Sequence, residues 1–128
     1  MEYKEVIVQD VFHHCNLNRS IISPCFMVGN FCLKDKSTML YLQNGKIHRD
    51  NAPAYIFYSV STKYGDGLFR VHFSYYINNV RHNEHGPAFV DYLFAPYNRN
   101  TVESQYYLNG TQYSKEEYQK QLITKLYW

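Results

Sequence analysis

The feature of this sequence that most constrains its fold is an internal repeat. Residues 41–58 match residues 75–92 without a gap, at an offset of 34 positions. The coincident positions include a tyrosine, a histidine followed two residues later by an acid, and a Pro-Ala pair. A partial third copy begins at Tyr106, now at an offset of 31 from the second. Because a repeated sequence folds into a repeated supersecondary unit, we expect one unit to recur along the chain.

Each copy has the pattern of a β-hairpin. Asn44-Gly45 and Asn109-Gly110 are strong signals for a two-residue turn, because a type I′ turn needs positive φ at both central positions. Asn78-Asn79 tolerates the same geometry, since Asn enters that region more readily than other residues. Pro53 and Pro87 cannot donate a hydrogen bond to a ladder, so each is expected at the entry to the next strand.

The segments between the turns alternate as half-buried strands do. Apolar residues occupy every second position from Phe69 to Ile77, and further on Val102, Tyr106 and Leu108 share one face with Ser104. Both faces are apolar or aromatic from Ala54 to Val60, which predicts cover on both sides of that strand. The segments 62–67 and 95–100 carry Gly, Pro, Asn and Asp and are predicted loops.

The C-terminal segment is predicted to be a helix. Ser114 is the expected N-cap, and Glu117 stands at the third helical position of a capping box. An apolar stripe follows at helical spacing; its members are Tyr118, Leu122, Ile123 and Leu126. A helix placed here would cover the last edge and one apolar face of the sheet.

The first 38 residues do not repeat. Tyr3–Gln9 is a predicted strand with Val6 and Val8 on one face, whereas 12–36 is predicted to be irregular. We expect this region to supply an opening hairpin or strand pair at the other end of the sheet. The chain of 128 residues is therefore predicted to be one domain, with an N-terminal region 1–38, hairpin repeats 39–113 and a capping helix 114–128.

The pattern Y-x-x-N-G-x-x-H-R-D-x-x-P-A at residues 41–54 resembles the MORN-like hairpin repeat N-G-x-x-H-R-x-x-G-P-A, which is frequent in proteins of large DNA viruses and phages. The ending Y-L-N-G-x-x-Y-S-K-E-E-Y at 107–118 is also similar to such proteins, and the resemblance covers about residues 39–122. It implies a mainly β (α+β) fold, in which stacked antiparallel hairpins form one curved sheet capped by an amphipathic helix. It also implies a scaffold or interaction role.

The chain departs from the MORN-like pattern at three places. Asn51-Ala52 stands where the pattern has Gly before Pro, Asn83 replaces the Arg after the second His, and Asn79 replaces the turn Gly. If an Arg at that position served a shared activity, Arg49 would be its one source.

Bulk composition excludes several classes of function. The net charge is +2 and no run of five like charges occurs, which does not favour nucleic acid as a partner. No apolar stretch approaches the length of a membrane span, and no secretory signal is evident. Three cysteines without such a signal favour reduced thiols, so we expect the cytoplasm of a host cell or a virus particle rather than secretion.

Two titratable pairs recur with the repeat, namely His48 with Asp50 and His82 with Glu84. One interpretation makes them acid–base partners, because a carboxylate tunes a neighbouring imidazole. The other makes them fold determinants, in which the imidazole bonds turn backbone and the carboxylate caps a turn. A catalytic site is usually single whereas a fold determinant repeats, so no catalytic residue is predicted.

A metal or cofactor site is not predicted either. His13-His14-Cys15, Cys25 and Cys32 offer soft ligands, but their spacing matches no compact zinc pattern. The sequence has no P-loop and no dinucleotide-binding loop.

The sequence favours a non-enzymatic protein-interaction or scaffold module of viral origin, either a minor particle component or a host-directed binder. Tyr and Arg dominate interface energetics, so the outward-facing contact candidates are Tyr41, Arg49, Tyr76, Arg81 and Tyr107. The repeated pairs His48, Asp50, His82 and Glu84 are further binding candidates. Two alternatives stay open: a protein that sequesters a nucleotide between aromatic rings and Arg, and an enzyme that uses His48 or His82.

Overall fold

The computed structural model describes residues 2–11, 28–61, 68–94 and 100–126. Within these ranges the chain forms eleven strands and ends in helix α1 (Lys115–Leu126). The strands are β1 (Lys4–Ile7), β2 (Asn30–Lys34), β3 (Thr38–Gln43), β4 (Lys46–Ile47), β5 (Tyr55–Ser61), β6 (Leu68–Ser74), β7 (Tyr76–Ile77), β8 (Val80–Arg81), β9 (Phe89–Phe94), β10 (Thr101–Leu108) and β11 (Thr111–Tyr113).

Nine of the strands in the described ranges form one sheet in the order β1-β2-β3-β5-β6-β9-β10-β11, with β4 paired to β3. Strands β7 and β8 form a separate two-stranded ladder. The β1–β2 pair is parallel and the other pairs are antiparallel. The prediction of a mainly β fold with a C-terminal helix is confirmed.

The N-terminal region differs from the prediction in one strand. Strand β1 lies within the predicted strand Tyr3–Gln9, but β2 falls inside 12–36, which was predicted to be irregular. Strand β2 lies between β1 and β3, and its Cys32 and Leu33 are 1% and 0% exposed. A strand buried on both faces does not alternate, so periodicity could not reveal it. The expected opening strand pair exists, although it is parallel.

The three predicted turns have the predicted geometry. The φ angles are +50° and +79° at Asn44-Gly45, and +50° and +84° at Asn109-Gly110. Asn78-Asn79 has +48° and +67°. Positive φ at both central positions is the condition for a type I′ turn. The prolines are also placed as predicted, since β5 and β9 each begin two residues after Pro53 and Pro87.

Consecutive hairpins are joined by backbone hydrogen bonds. We call the contact of β3–β4 with β7–β8 the first junction, and the contact of β7–β8 with β10–β11 the second junction. At each junction, the backbone N–H of the second turn residue of the later hairpin donates to a carbonyl of the earlier hairpin. In return, the N–H of a residue that follows the earlier hairpin donates to a carbonyl of the later hairpin. The bonds are Asn79 N to Ile47 O (2.8 Å), Arg49 N to Tyr76 O (3.2 Å), Gly110 N to Arg81 O (2.9 Å) and Asn83 N to Tyr107 O (3.2 Å).

The hydrophobic core lies at the N-terminal end of the sheet. Most of its residues come from β2, β3 and β4, and the others are Val11, Ala54 and Tyr76 of β7. The members are Val11, Cys32, Leu33, Leu40, Tyr41, Leu42, Ile47, Ala54 and Tyr76. The first junction is therefore built into the core, whereas the second contributes no residue to it except Tyr76.

Helix α1 packs on the second junction. Ser114 Oγ accepts from Glu117 N at 3.2 Å, as an N-cap does. Tyr118 is 4% exposed; its ring lies 4.8 Å from that of Tyr106, and its hydroxyl donates to Asn83 O at 2.6 Å. The predicted stripe is wrong at Ile123, which is 56% exposed. One tyrosine thus anchors the helix through its ring and its hydroxyl.

Candidate functional site

The two repeated histidines link successive hairpins. His48 Nδ1 accepts from Asn78 N at 3.2 Å, and its Nε2 lies 3.2 Å from Asp50 Oδ1. Because Nδ1 accepts an N–H, the ring proton is on Nε2 and is directed at the carboxylate. The ring is buried: His48 is 7% exposed.

The second histidine makes the same contacts one copy later. His82 Nδ1 accepts from Asn109 N at 2.8 Å, and its Nε2 lies 3.5 Å from Glu84 Oε1. Each imidazole therefore binds the first N–H of the next hairpin's turn. Both ring nitrogens are engaged within the fold, which favours the interpretation of these pairs as fold determinants.

Two of the tyrosines expected to face outward are buried. Tyr41 is 9% and Tyr76 is 6% exposed. The ring of Tyr41 lies between Tyr3, whose ring meets it edge-on at 5.1 Å, and the Arg49 guanidinium, 3.8 Å from its centroid. Strand alternation alone suggested an outward position, but the adjacent hairpins and the N-terminal segment cover both rings. Tyr41 and Tyr76 are therefore core residues.

Arg81 and Tyr107 form a half-buried cluster with two other rings. The Arg81 guanidinium carbon lies 5.5, 5.3 and 5.1 Å from the ring centroids of Tyr76, Phe89 and Tyr107. Its terminal nitrogens donate to Tyr76 Oη at 3.0 Å and to Tyr107 Oη at 3.4 Å. These contacts hold the arginine against the second junction, so it is less available to a ligand than the sequence suggested.

Arg49 in the first copy and its equivalent Asn83 in the second each bond the loop before the next strand. Arg49 Nη1 donates to Pro53 O at 3.2 Å, and Asn83 Nδ2 makes the equivalent bond to Pro87 O at 2.9 Å. The replacement of Arg by Asn in the second copy therefore preserves the bond that closes the loop before the next strand.

One face of the sheet carries a half-buried histidine and an ion pair. The ring of His72 lies 5.2 Å from those of Tyr55 and Phe57. Burial lowers the pKa of His72, although Asp91 acts in the opposite direction. Arg70 binds Asp91 through two hydrogen bonds, of 3.1 and 2.6 Å, which lowers the pKa of that carboxyl despite its partial burial.

Apart from Ser104 of β10, the other face of β5, β6, β9 and β10 is apolar in three consecutive rows. Directly opposed residues on neighbouring strands lie on the same face, so the strand register defines the rows. We call this surface the apolar face; it consists of Ile56, Phe73 and Val90, then Tyr58, Val71, Tyr92 and Val102, then Val60, Phe69 and Phe94. The sequence shows the alternation but not which face is uncovered.

The apolar face is open along its outer rows. Val60 is 63%, Val102 59%, Phe94 43%, Tyr58 40% and Phe69 37% exposed. The prediction that β5 is covered on both faces is therefore wrong at Tyr58 and Val60. The rings form a contiguous surface, because Phe69–Phe94, Tyr92–Phe94 and Phe73–Tyr92 centroids are 5.8, 6.1 and 6.0 Å apart.

No group of three or more His, Cys, Asp or Glu able to hold a metal ion occurs in the described ranges; His13, His14, Cys15 and Cys25 lie outside them. No helix within those ranges is long and apolar enough to cross a membrane. Cys32 is a buried free thiol, and burial raises its pKa.

Comparison with protein-family models, with curated proteins and with solved structures gives no match to this chain. The resemblance to MORN-like repeats accordingly stays a prediction based on the residues quoted above.

Proposed function

We propose that this chain is a non-enzymatic protein-interaction module that binds an uncharged, apolar surface of another protein with its apolar face. The observation that carries the proposal is the exposure of Tyr58, Val60, Phe69, Phe94 and Val102 along the two outer rows of the apolar face, on a hydrogen-bonded sheet. The five outer residues expose apolar surface on the order of 400 Å². Contiguous patches of that size on soluble proteins commonly mark interaction sites.

The chemistry of the face favours a protein partner over a nucleic acid. None of its ten residues carries a charge, whereas a nucleic-acid surface needs cations placed against phosphates. Arg70, on the same strand as Phe69 and Val71, lies on the opposite face and is paired with Asp91. A partner surface of aliphatic and aromatic side chains, packed face to face as two sheets pack, suits this composition.

The repeated histidines support a scaffold rather than a reaction. Their ring nitrogens hold backbone and carboxylate groups of the fold, and His48 is buried. We also propose that the hairpins form a curved stack. The backbone hydrogen bonds at the two junctions support this part of the proposal. The resemblance to viral hairpin repeats supports a viral origin.

Photo-crosslinking followed by reconstitution tests the proposal. A crosslinking amino acid at Phe94 should capture a protein that then binds the purified chain in a defined stoichiometry. Val60→Asp should weaken that binding at least about tenfold. The neighbouring Ser59→Asp, which lies on the opposite face, should change it less than about twofold.

Three outcomes would overturn the proposal. The identified protein could bind equally well to both variants. The chain could bind phospholipid vesicles through the same residues and no protein at all. Turnover of a substrate that is lost on substitution of His48 or His82 would show an enzyme instead.

A further inference from the structure

The part of β10 that does not pair with β11 has an open edge. Strand β5 lies between β3 and β6, and β9 lies between β6 and β10. In the third copy the chain continues from β11 into α1, and so supplies no strand equivalent to β5 or β9. The outer side of residues 101–105 in β10 is therefore without a neighbouring strand in the described part of the chain.

The backbone groups on that edge can be assigned from one hydrogen bond. Gln105 O accepts from Ala88 N at 2.9 Å, so the polar groups of Gln105 are directed at the β9 side. Because these groups alternate along a strand, the N–H and C=O of Val102 and Ser104 are directed outward. All residues from Thr101 to Ser104 are exposed.

This edge lacks the features that usually prevent pairing. Strand β10 has eight residues, contains neither Pro nor Lys, and carries one charge, Glu103. The opposite edge is different: β1 has four residues and begins with Lys4-Glu5. Short strands and edge charges are the usual protection against edge-to-edge association, so β1 is protected and β10 is not.

We propose that β10 pairs antiparallel with β10 of a second copy of this chain, with the two-fold axis at Val102. In this register each Val102 lies opposite the other, and their outward N–H and C=O groups exchange two hydrogen bonds. Thr101 of each copy then lies opposite Glu103 of the other, so no two like charges are opposed. Any closed two-fold pairing of an edge with itself must be antiparallel and self-complementary in this way.

The pairing also joins the apolar faces of the two copies. Val102 belongs to the row that contains Tyr92, Val71 and Tyr58. With Val102 on the axis, this row continues directly into the same row of the second copy, and the sheet becomes continuous across the dimer. The inference concerns the sheet edge and stands without the proposed function of the face.

Substitutions at Val102, including a pair of oppositely charged variants, test the inference. We expect the full chain to sediment as a concentration-dependent dimer. Val102→Pro removes an outward N–H and no bond to β9, so it should raise the dimer Kd at least about tenfold. Val102→Lys and Val102→Glu should each be monomeric alone, and their equimolar mixture should form a heterodimer. Val60→Asp, on the apolar face but away from the edge, should dimerise like the parent chain.

Each result decides the question. A parent chain that stays monomeric at every concentration overturns the inference, as does a dimer that persists in Val102→Pro. Charge variants that dimerise separately, or that fail to combine, would exclude Val102 from the axis. A dimer that Val60→Asp dissociates would show self-association through the apolar face instead. Loss of partner binding in Val60→Asp with the dimer intact separates this inference from the proposed function.

Discussion

The two junctions between hairpins have the same backbone bonds but different side-chain surroundings. At the first, Ile47 is 0% and His48 is 7% exposed. At the second, the equivalent residues are Arg81 and His82, both half-buried. The repeat therefore preserves the hydrogen bonds that join hairpins, while the first junction lies in the core and the second lies near solvent.

The loops that follow the first two hairpins also make similar hydrogen bonds in different surroundings. A tyrosine hydroxyl from outside the repeat donates to each loop: Tyr3 to His48 O at 3.2 Å, and Tyr118 to Asn83 O at 2.6 Å. One tyrosine comes from the N-terminal segment and the other from α1. The ends of the chain thus supply similar contacts to two copies of one unit.

The largest expected difference between the junctions is in packing. Ile47→Ala should lower the free energy of unfolding by about 2–5 kcal/mol, because it opens a cavity in the core. Arg81→Ala at the equivalent position should cost only about 1–2 kcal/mol, since it removes half-buried ring contacts and two hydrogen bonds. Urea denaturation of both variants checks this, and equal losses would mean that the second junction is as tightly packed as the first.

The histidine links should differ in the same direction. His48→Ala removes a buried imidazole and leaves the N–H of Asn78 without its part-buried acceptor, which should cost about 1–3 kcal/mol. His82→Ala should cost less, because His82 is only half-buried and its bond to the N–H of Asn109 is exposed, so that water can replace the imidazole. His85→Ala, at an exposed position, is the matched control and should stay within about 0.5 kcal/mol of the parent. A larger loss in His82→Ala than in His48→Ala would contradict the comparison.

A side-chain bond at the first junction has no equivalent at the second. Asn79 Oδ1 accepts from Ile47 N at 2.7 Å, whereas Gly110 has no side chain there. Asn79→Gly should therefore lower stability by about 1 kcal/mol despite relief of the positive φ. Asn78→Gly, which keeps the N–H bound by His48, should be nearly neutral. Thermal denaturation of the pair would show whether the departure from Gly in the second turn stabilises the stack.

The smallest expected effect is at the exposed carboxylates. Lys125 bonds Glu84 and lowers the pKa of that carboxyl. A lowered pKa means that the stabilisation exists above the ordinary pKa of Glu and is lost as the pH falls through the folded value. Glu84→Gln should cost a few tenths of a kcal/mol near neutral pH, less in high salt, because the pair is largely solvated. Asp50→Asn is the first-junction control, and comparison of both variants at neutral and acidic pH checks the sign.

Local chemistry explains which parts of the fold could be predicted. The turns at Asn44-Gly45 and Asn109-Gly110 follow from the φ angles that those residues tolerate, and the start of α1 follows from the Ser114 hydroxyl. The repeat identified which residues occupy equivalent positions in successive hairpins, because hairpins with the same turn place equivalent residues beside the same backbone groups. The short apolar segment that became β2 gave no such signal.

Burial depends on contacts between elements, which local patterns do not contain. Tyr41 and Tyr76 were expected outside because their strands alternate, yet neighbouring hairpins cover them. Val60 and Tyr58 were expected beneath a cover and are exposed. Strand preferences describe fit to a pleated surface rather than which face meets solvent. The sequence therefore predicted that apolar residues share one face of these strands, but not that this face is exposed to solvent.

The parallel pairing of β1 has a consequence for the order of folding. Lys4 is paired with Phe31, so β1 cannot pair with β2 until 27 further residues have been made. The hairpins, by contrast, close over two residues. Contacts that are near in sequence form first because their loops lose less entropy. During synthesis on a ribosome, β1 is thus expected to dock after the hairpin that follows it.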